Sequence, residues 1–126
     1  MKINVARLRS LIILLLVLLL PPAVFAREYG GMAAISQDAL PAEARATLIL
    51  IKQGGPFPYD KDGMVFGNYE VRLPRQKRGY YHEYTVKTPR ARNRGAKRII
   101  AGGNPGTSGE YYFTDDHYES FKKIQE

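Results

Sequence analysis

One change of periodicity near residue 55 constrains this chain more than any other feature. Ahead of it, Ala44, Leu48 and Ile51 recur at helical spacing and give a helix one apolar face. Leu40-Pro41-Ala42-Glu43 opens that helix. Pro41 suits the first helical position, where an N–H would be unpaired anyway, and Glu43 complements the positive helix end. Gly54-Gly55 supplies the stop. Beyond it the pattern turns to short extended segments separated by turn chemistry. Asp60-Lys61-Asp62-Gly63 reads as a turn and Met64-Val65-Phe66 as a strand. Residues 73–78 form a loop rich in proline and basic residues. Residues 80–86 form the clearest strand, ended by Thr88-Pro89, and 96–101 form another. GGNPGTSG (102–109) has the composition of a flexible hairpin connection, 110–114 is a further strand, and 120–124 closes the sheet. One long helix followed by several antiparallel strands predicts a small α+β fold without repeats, the helix covering the sheet.

The first residues are expected to be a leader. Lys2, Arg7 and Arg9 precede an apolar run from 11 to 20, followed by Pro21-Pro22 and Ala23-Val24-Phe25-Ala26. A positive start, a short apolar run and a small closing residue match a secretory signal peptide cleaved after Ala26. A transmembrane anchor needs about 20 uninterrupted apolar residues, and the prolines cut this segment short. The expected organisation is a signal peptide at 1–26 and one domain at 27–126, secreted and without a membrane anchor. The formal net charge of +7 loses three basic and no acidic residues with the leader, leaving +4. A basic balance favours polyanionic partners and says nothing about fold. The chain has no cysteine, so thiol catalysis and cysteine metal sites are excluded, and its two histidines make a His-rich zinc site improbable.

Within GYYHEYTV (79–86), histidine and glutamate sit side by side. A strand sends neighbours to opposite faces. Tyr80, His82, Tyr84 and Val86 therefore share the more apolar, helix-covered face, while Tyr81, Glu83 and Thr85 share the other. His82 reads as a core or hydrogen-bonding residue and Glu83 as the candidate for chemistry. Residues 87–98 carry Lys87, Arg90, Arg92, Arg94, Lys97 and Arg98 with no acidic residue. If the 96–101 strand neighbours 80–86, Arg98 can lie across from Glu83. An opposite charge there favours an ionised carboxylate and offers guanidinium groups to a phosphate. The same run also fits a solubilising loop. His117 follows Asp115-Asp116, and carboxylates favour a protonated imidazole. A base, an acid and several arginines are the parts for phosphodiester cleavage without a metal.

LPAEARATLILI (40–51), GGPFPYDKDGMVFGNYE (54–70), GYYHEYTVKTP (79–89), RGAKRII (94–100) and YYFTDDHYESF (111–121) together resemble the microbial guanyl-specific ribonucleases, the secreted family that includes barnase. The resemblance implies one N-terminal helix on a twisted antiparallel sheet, and cleavage of single-stranded RNA 3′ to guanosine through a 2′,3′-cyclic phosphate, with no cofactor. It implies Glu83 as general base and His117 as general acid, with Arg98 and Arg94 binding the phosphate beside Tyr118. It maps guanine binding to Phe66, Gly67, Asn68, Tyr69 and Glu70. Glu70 would accept hydrogen bonds from guanine N1–H and N2–H₂, and backbone N–H groups around Asn68 would reach O6.

Family members often carry arginine where this chain has Tyr69, and a larger polar residue where it has Gly67. Tyrosine can still stack on a base. The cations Arg75, Lys77 and Arg78 read as a solvated loop ahead of a nonspecific RNA contact. A barstar-type protein inhibitor and a monomeric state are further expectations. The alternative is a non-catalytic secreted RNA-binding module. Arg78-Gly79-Tyr80 begin like the contact strand of an RRM, but Tyr81, His82 and Glu83 depart from it, and no second long helix is legible. A secreted structural protein with a merely solubilising basic loop is the third possibility.

Overall fold

The computed structural model describes residues 31–126. The expected leader, residues 1–26, lies outside them. Strand β1 (Ala33–Ser36) leads through a 3-10 turn (Gln37–Ala39) into helix α1 (Ala42–Gln53). Strands β2 (Met64–Phe66), β3 (Tyr81–Thr85), β4 (Arg98–Gly102), β5 (Tyr111–Thr114) and β6 (Lys122–Gln125) follow. They form one six-stranded sheet in the order β1-β6-β5-β4-β3-β2. Strands β2 to β6 pair antiparallel, while β1 joins β6 in parallel, Ala33 beside Lys122. β1 has no counterpart among the strands expected from the sequence. Its AAIS has little alternation, and its partner lies at the other end of the domain. α1 is the only α-helix among the described residues, so the second helix an RRM requires is missing there.

The helix begins one residue later than expected. Pro41, at φ −54° and ψ 150°, is extended and caps the helix, its carbonyl accepting from the N–H groups of Ala44 and Arg45 at 3.0 Å each. At the other end Gly54 takes the left-handed φ of 82° that lets its N–H and that of Gly55 turn back onto the last carbonyls. Ala44, Thr47, Leu48 and Ile51 form the buried face.

The sheet is buried on both sides. Under the helix, Leu40, Leu48 and Ile51 pack with Tyr84, Val86, Ile99, Tyr111 and Phe113. On the opposite face Leu73, Tyr81, Ile100, Tyr112 and Phe121 make a second, smaller cluster. The alternation expected of β3 thus holds from Tyr81 onward. Tyr80 is the exception: it precedes the strand, so strand parity does not govern it, and it packs edge-on to Tyr81 at 4.9 Å in the second cluster. His82 shares parity with Tyr84 but is only half-buried, and its Nδ1 is buried without a hydrogen-bond partner among the described residues.

Leu48 is fully buried between helix and sheet. Leu48→Ala should therefore destabilise the domain by about 2–5 kcal/mol, read from urea denaturation. A loss within experimental error would mean that α1 does not hold the sheet.

Candidate active site

Glu83 lies on the sheet face opposite the helix, its side chain 15% exposed. Both carboxylate oxygens have partners. Oε2 accepts a 2.6 Å hydrogen bond from the Tyr118 hydroxyl, and Oε1 lies 3.5 Å from Nη2 of Arg94. Arg94 is itself positioned by Thr85, whose Oγ1 accepts from its Nε at 3.0 Å and Nη2 at 2.8 Å. Thr85 is anchored in turn: its N–H donates to Asp62 at 2.7 Å, and its carbonyl lies 3.1 Å from Oγ1 of Thr47 on the helix. Strand alternation places Thr85 on the Glu83 face, but nothing in its sequence context marks it as the residue that holds Arg94.

The expected pairing of Arg98 with Glu83 is not what the register produces. Ile100 stands opposite Glu83 and Arg98 opposite Thr85, so Arg98 sits one cross-strand step away on the same face. The ion pair falls to Arg94, which reaches in from the loop ahead of β4. Arg98 is 3% exposed, and its Nη1 donates to the carbonyls of Gly95 and Lys97 at 2.9 and 2.7 Å. Its Nε is buried with no partner, and it makes no ion pair among the described residues. A guanidinium held by neutral carbonyls keeps its charge uncompensated, which suits a polyanionic ligand. The basic run of 87–98 is thereby sorted: Arg94 and Arg98 turn inward, while Lys87, Arg90 and Arg92 stay exposed.

His117 and Tyr118 sit on a tight turn after β5, at φ 55° and 73°. Consecutive left-handed non-glycine residues store strain of about 1–3 kcal/mol each. The turn is held by the His117 N–H donating to Ala96 at 3.1 Å and the Tyr118 N–H donating to Thr114 Oγ1 at 3.1 Å. Asp116 braces it further: its carboxylate accepts from Thr114 Oγ1, the Ser120 N–H and the Ser120 hydroxyl at 2.9, 2.9 and 2.5 Å. Those bonds, led by the Ser120 hydroxyl, pull its pKa down to about 2. The exposed His117 ring lies 4.8 Å from that of Tyr118. Burial first, and then the hydrogen bond to Glu83, push the Tyr118 phenol up to about 12. Tyr118 therefore remains a hydrogen-bond donor to Glu83 far above neutral pH.

Phe66, Gly67, Asn68, Tyr69 and Glu70 line one cavity of about 210 Å³ together with Tyr118. Phe66 stacks on Tyr118 with ring centroids 5.2 Å apart, joining this cavity to the Glu83 site. Asn68, at φ 52°, staples the loop: its Oδ1 accepts from the Leu73 N–H at 3.1 Å and its Nδ2 donates to the Leu73 carbonyl at 3.0 Å. Both polar atoms of the Asn68 side chain are thus engaged within the loop. Gly67 and Tyr69 are sterically linked, since a Cβ at 67 would stand 2.4 Å from Tyr69 Cε2. A larger residue at 67 would have to turn that ring aside. Glu70 is largely exposed and paired to Arg72, whose Nε and Nη2 lie 2.8 and 2.7 Å from Oε2. Arg72 also donates to the carbonyl of Glu119, connecting the two loops. Nothing in the sequence pattern pointed to Arg72. Among the described residues no group of His, Asp or Glu side chains is arranged to hold a metal ion.

The depressed Asp116 pKa gives a pH signature. A carboxylate whose folded pKa lies below its unfolded value contributes stability above the unfolded pKa, lost as pH falls through the folded one. Parent and Asp116→Asn should therefore differ in urea midpoint at about pH 5 and converge towards about pH 2, the parent being the more stable at the higher pH. Parallel curves across that range would refute the bracing role.

A family model described as ribonuclease matches residues 25–125. Guanyl-specific ribonuclease Sa of Kitasatospora aureofaciens is 56% identical over 99 residues, covering 79% of this chain and 98% of that protein. Guanyl-specific ribonuclease St of Saccharopolyspora erythraea is 55% identical over 95 residues, covering 75% and 90%. Among solved structures, ribonuclease Sa2 in complexes with mononucleotides superposes with a TM-score of 0.71 at 44% identity, covering 75% of this chain and 95% of that one. The structure of ribonuclease Sa2 with guanosine-2′-cyclophosphate gives 0.68 at 45% identity, covering 75% and 96%. A family model that matches most of the chain, and relatives more than half identical over nearly their whole length, show that the chain belongs to the ribonuclease family.

Proposed function

We propose that the protein is a guanyl-specific endoribonuclease that cleaves single-stranded RNA through a 2′,3′-cyclic phosphate. The observation that carries this reading is the Glu83 carboxylate, held by Tyr118 and Arg94 on the face that also carries buried Arg98. Glu83 removes the proton of the 2′-OH, and the freed oxygen attacks the adjacent phosphorus. The bond from phosphorus to the 5′-oxygen breaks as His117 donates a proton to that oxygen. In the second step His117 takes a proton from water, the water oxygen opens the cyclic phosphate, and Glu83 returns its proton to the 2′-oxygen. Arg94 and Arg98 stabilise charge on the non-bridging oxygens, with Tyr118 beside them. DNA lacks the attacking hydroxyl and is inert.

Guanine enters the cavity formed by residues 66–70. Glu70 accepts from N1–H and N2–H₂, backbone N–H groups around Asn68 meet O6, and Phe66 and Tyr69 offer aromatic surface to the base. Adenine presents no such donor pair. Arg72 holds the Glu70 carboxylate in place for this exchange. The leader pattern of residues 1–26 supports secretion, and a secreted ribonuclease is toxic to its producer if retained, which favours a barstar-type inhibitor as partner.

The direct test uses GpC and ApC with a chelator present. GpC should yield guanosine 2′,3′-cyclic phosphate, with ApC cleaved at least about tenfold more slowly, since adenine leaves the Glu70 acceptors without their donor pair. Absence of cleavage by a folded protein would end the enzyme reading. Glu83→Gln and His117→Ala should each lower kcat by about 10²–10⁴-fold, and the parent's rate should be bell-shaped in pH. His82→Ala should leave kcat close to the parent's; loss of chemistry in a stable His82 variant would move the base to the wrong face. Glu70→Gln should collapse the preference for GpC over ApC while leaving residual cleavage, and an undiminished preference would relocate guanine recognition to the backbone alone.

A further inference from the structure

A second cavity of about 670 Å³ opens beside the base loop, and it shares residues 65–69 with the smaller one as a common wall. Its remaining lining includes Arg75, Lys77, Arg78 and Tyr81. Solvation of the three cations accounts for their exposure but not for their convergence on a cavity next to the base site. None of the three makes an ion pair or side-chain hydrogen bond among the described residues. The loop that presents them is braced at both ends. Leu73 is buried, Asn68 binds the backbone of Leu73, the Tyr81 hydroxyl donates to the Pro74 carbonyl at 2.6 Å, and the Tyr80 N–H closes onto Lys77 at 3.1 Å. Charge on a braced loop loses less conformational freedom on binding than charge on a mobile tail.

We propose that this cavity is a subsite for the single-stranded RNA that flanks the recognised guanosine, with Arg75, Lys77 and Arg78 taking its phosphates and the aromatic wall of Tyr69 and Phe66 facing a neighbouring base. Charge complementarity and continuity with the base cavity select this occupant. A strand leaving one side of the shared wall meets cations on the other, and base stacking on aromatic rings tolerates any sequence. The proposal rests on the ribonuclease reading and deepens it, predicting that substrates longer than a dinucleotide gain from contacts that play no part in guanine choice.

The test compares the parent with Arg75→Ser/Lys77→Ser/Arg78→Ser, using GpC and a uridine decamer containing one guanosine. Lys122→Ser/Lys123→Ser, at the other side of the sheet, is the charge control. The triple variant should lose about tenfold in kcat/KM on the decamer at low salt and keep parental kcat/KM on GpC. Each phosphate contact contributes about 0.7 to the salt slope of single-strand binding, so three lost contacts should flatten the slope by about 2. Anisotropy with the decamer carrying deoxyguanosine, which cannot be cleaved, reads that slope without chemistry. An unchanged slope, an equal loss in the control, or an equal loss on GpC would each overturn the subsite. Failure of the parent to cleave GpC would instead remove the ribonuclease reading, while the anisotropy slopes would still decide whether the surface binds RNA.

Discussion

The structure depends on strand β3 being used on both faces. Alternation sends Tyr84 beneath the helix and Glu83 to the opposite side, so one short strand ties the main core to the chemistry. Thr85 completes the tie. Its carbonyl meets helix residue Thr47, its N–H meets Asp62 in the turn before β2, and its hydroxyl holds Arg94 against Glu83. The energy that positions Arg94 is thus continuous with the burial of Leu48 and Ile51, which are worth about 1.5–3 kcal/mol each. A one-residue slip of β3 would bury Glu83 under the helix and move Tyr84 to the face that now carries the site.

Charge in the site follows from what surrounds each group. Glu83 is enclosed but supplied with a hydroxyl and a guanidinium, so both oxygens are satisfied. Arg98 is enclosed among carbonyls and keeps an uncompensated charge on the same face. His117 is left exposed on a strained turn, next to rather than within the hydrogen-bonded cluster. Asp116 braces the strained turn locally, while the His117 N–H ties it to Ala96 ahead of β4 and the Tyr118 N–H to Thr114 at the end of β5.

Much of this was legible in the residues. The helical spacing of Ala44, Leu48 and Ile51, the stop at Gly54 and the separation of Tyr84 from Glu83 all come from local periodicity, which the fold preserves. Locality also limits what such periodicity can encode. β1 could not be found because its strand character is supplied by pairing with β6, about 90 residues away. Arg98 was placed one step off because register is set by how the strands twist and turn together, and alternation alone cannot supply it. Arg72 gave no signal, because a cation two residues from a glutamate becomes a clamp only when a second loop, at Glu119, folds beside it.

The amino-acid sequence by itself determined the class of fold, the face on which Glu83 stands and the family the chain joins, because each rests on short-range pattern or ordered motifs. Only the tertiary structure decided which arginine pairs with Glu83, that Tyr118 donates to it, and that the Tyr69 ring fills the space a side chain at Gly67 would need. These are relations between side chains brought together by strand register and loop closure. They depend on distances through space, which no spacing along the chain encodes.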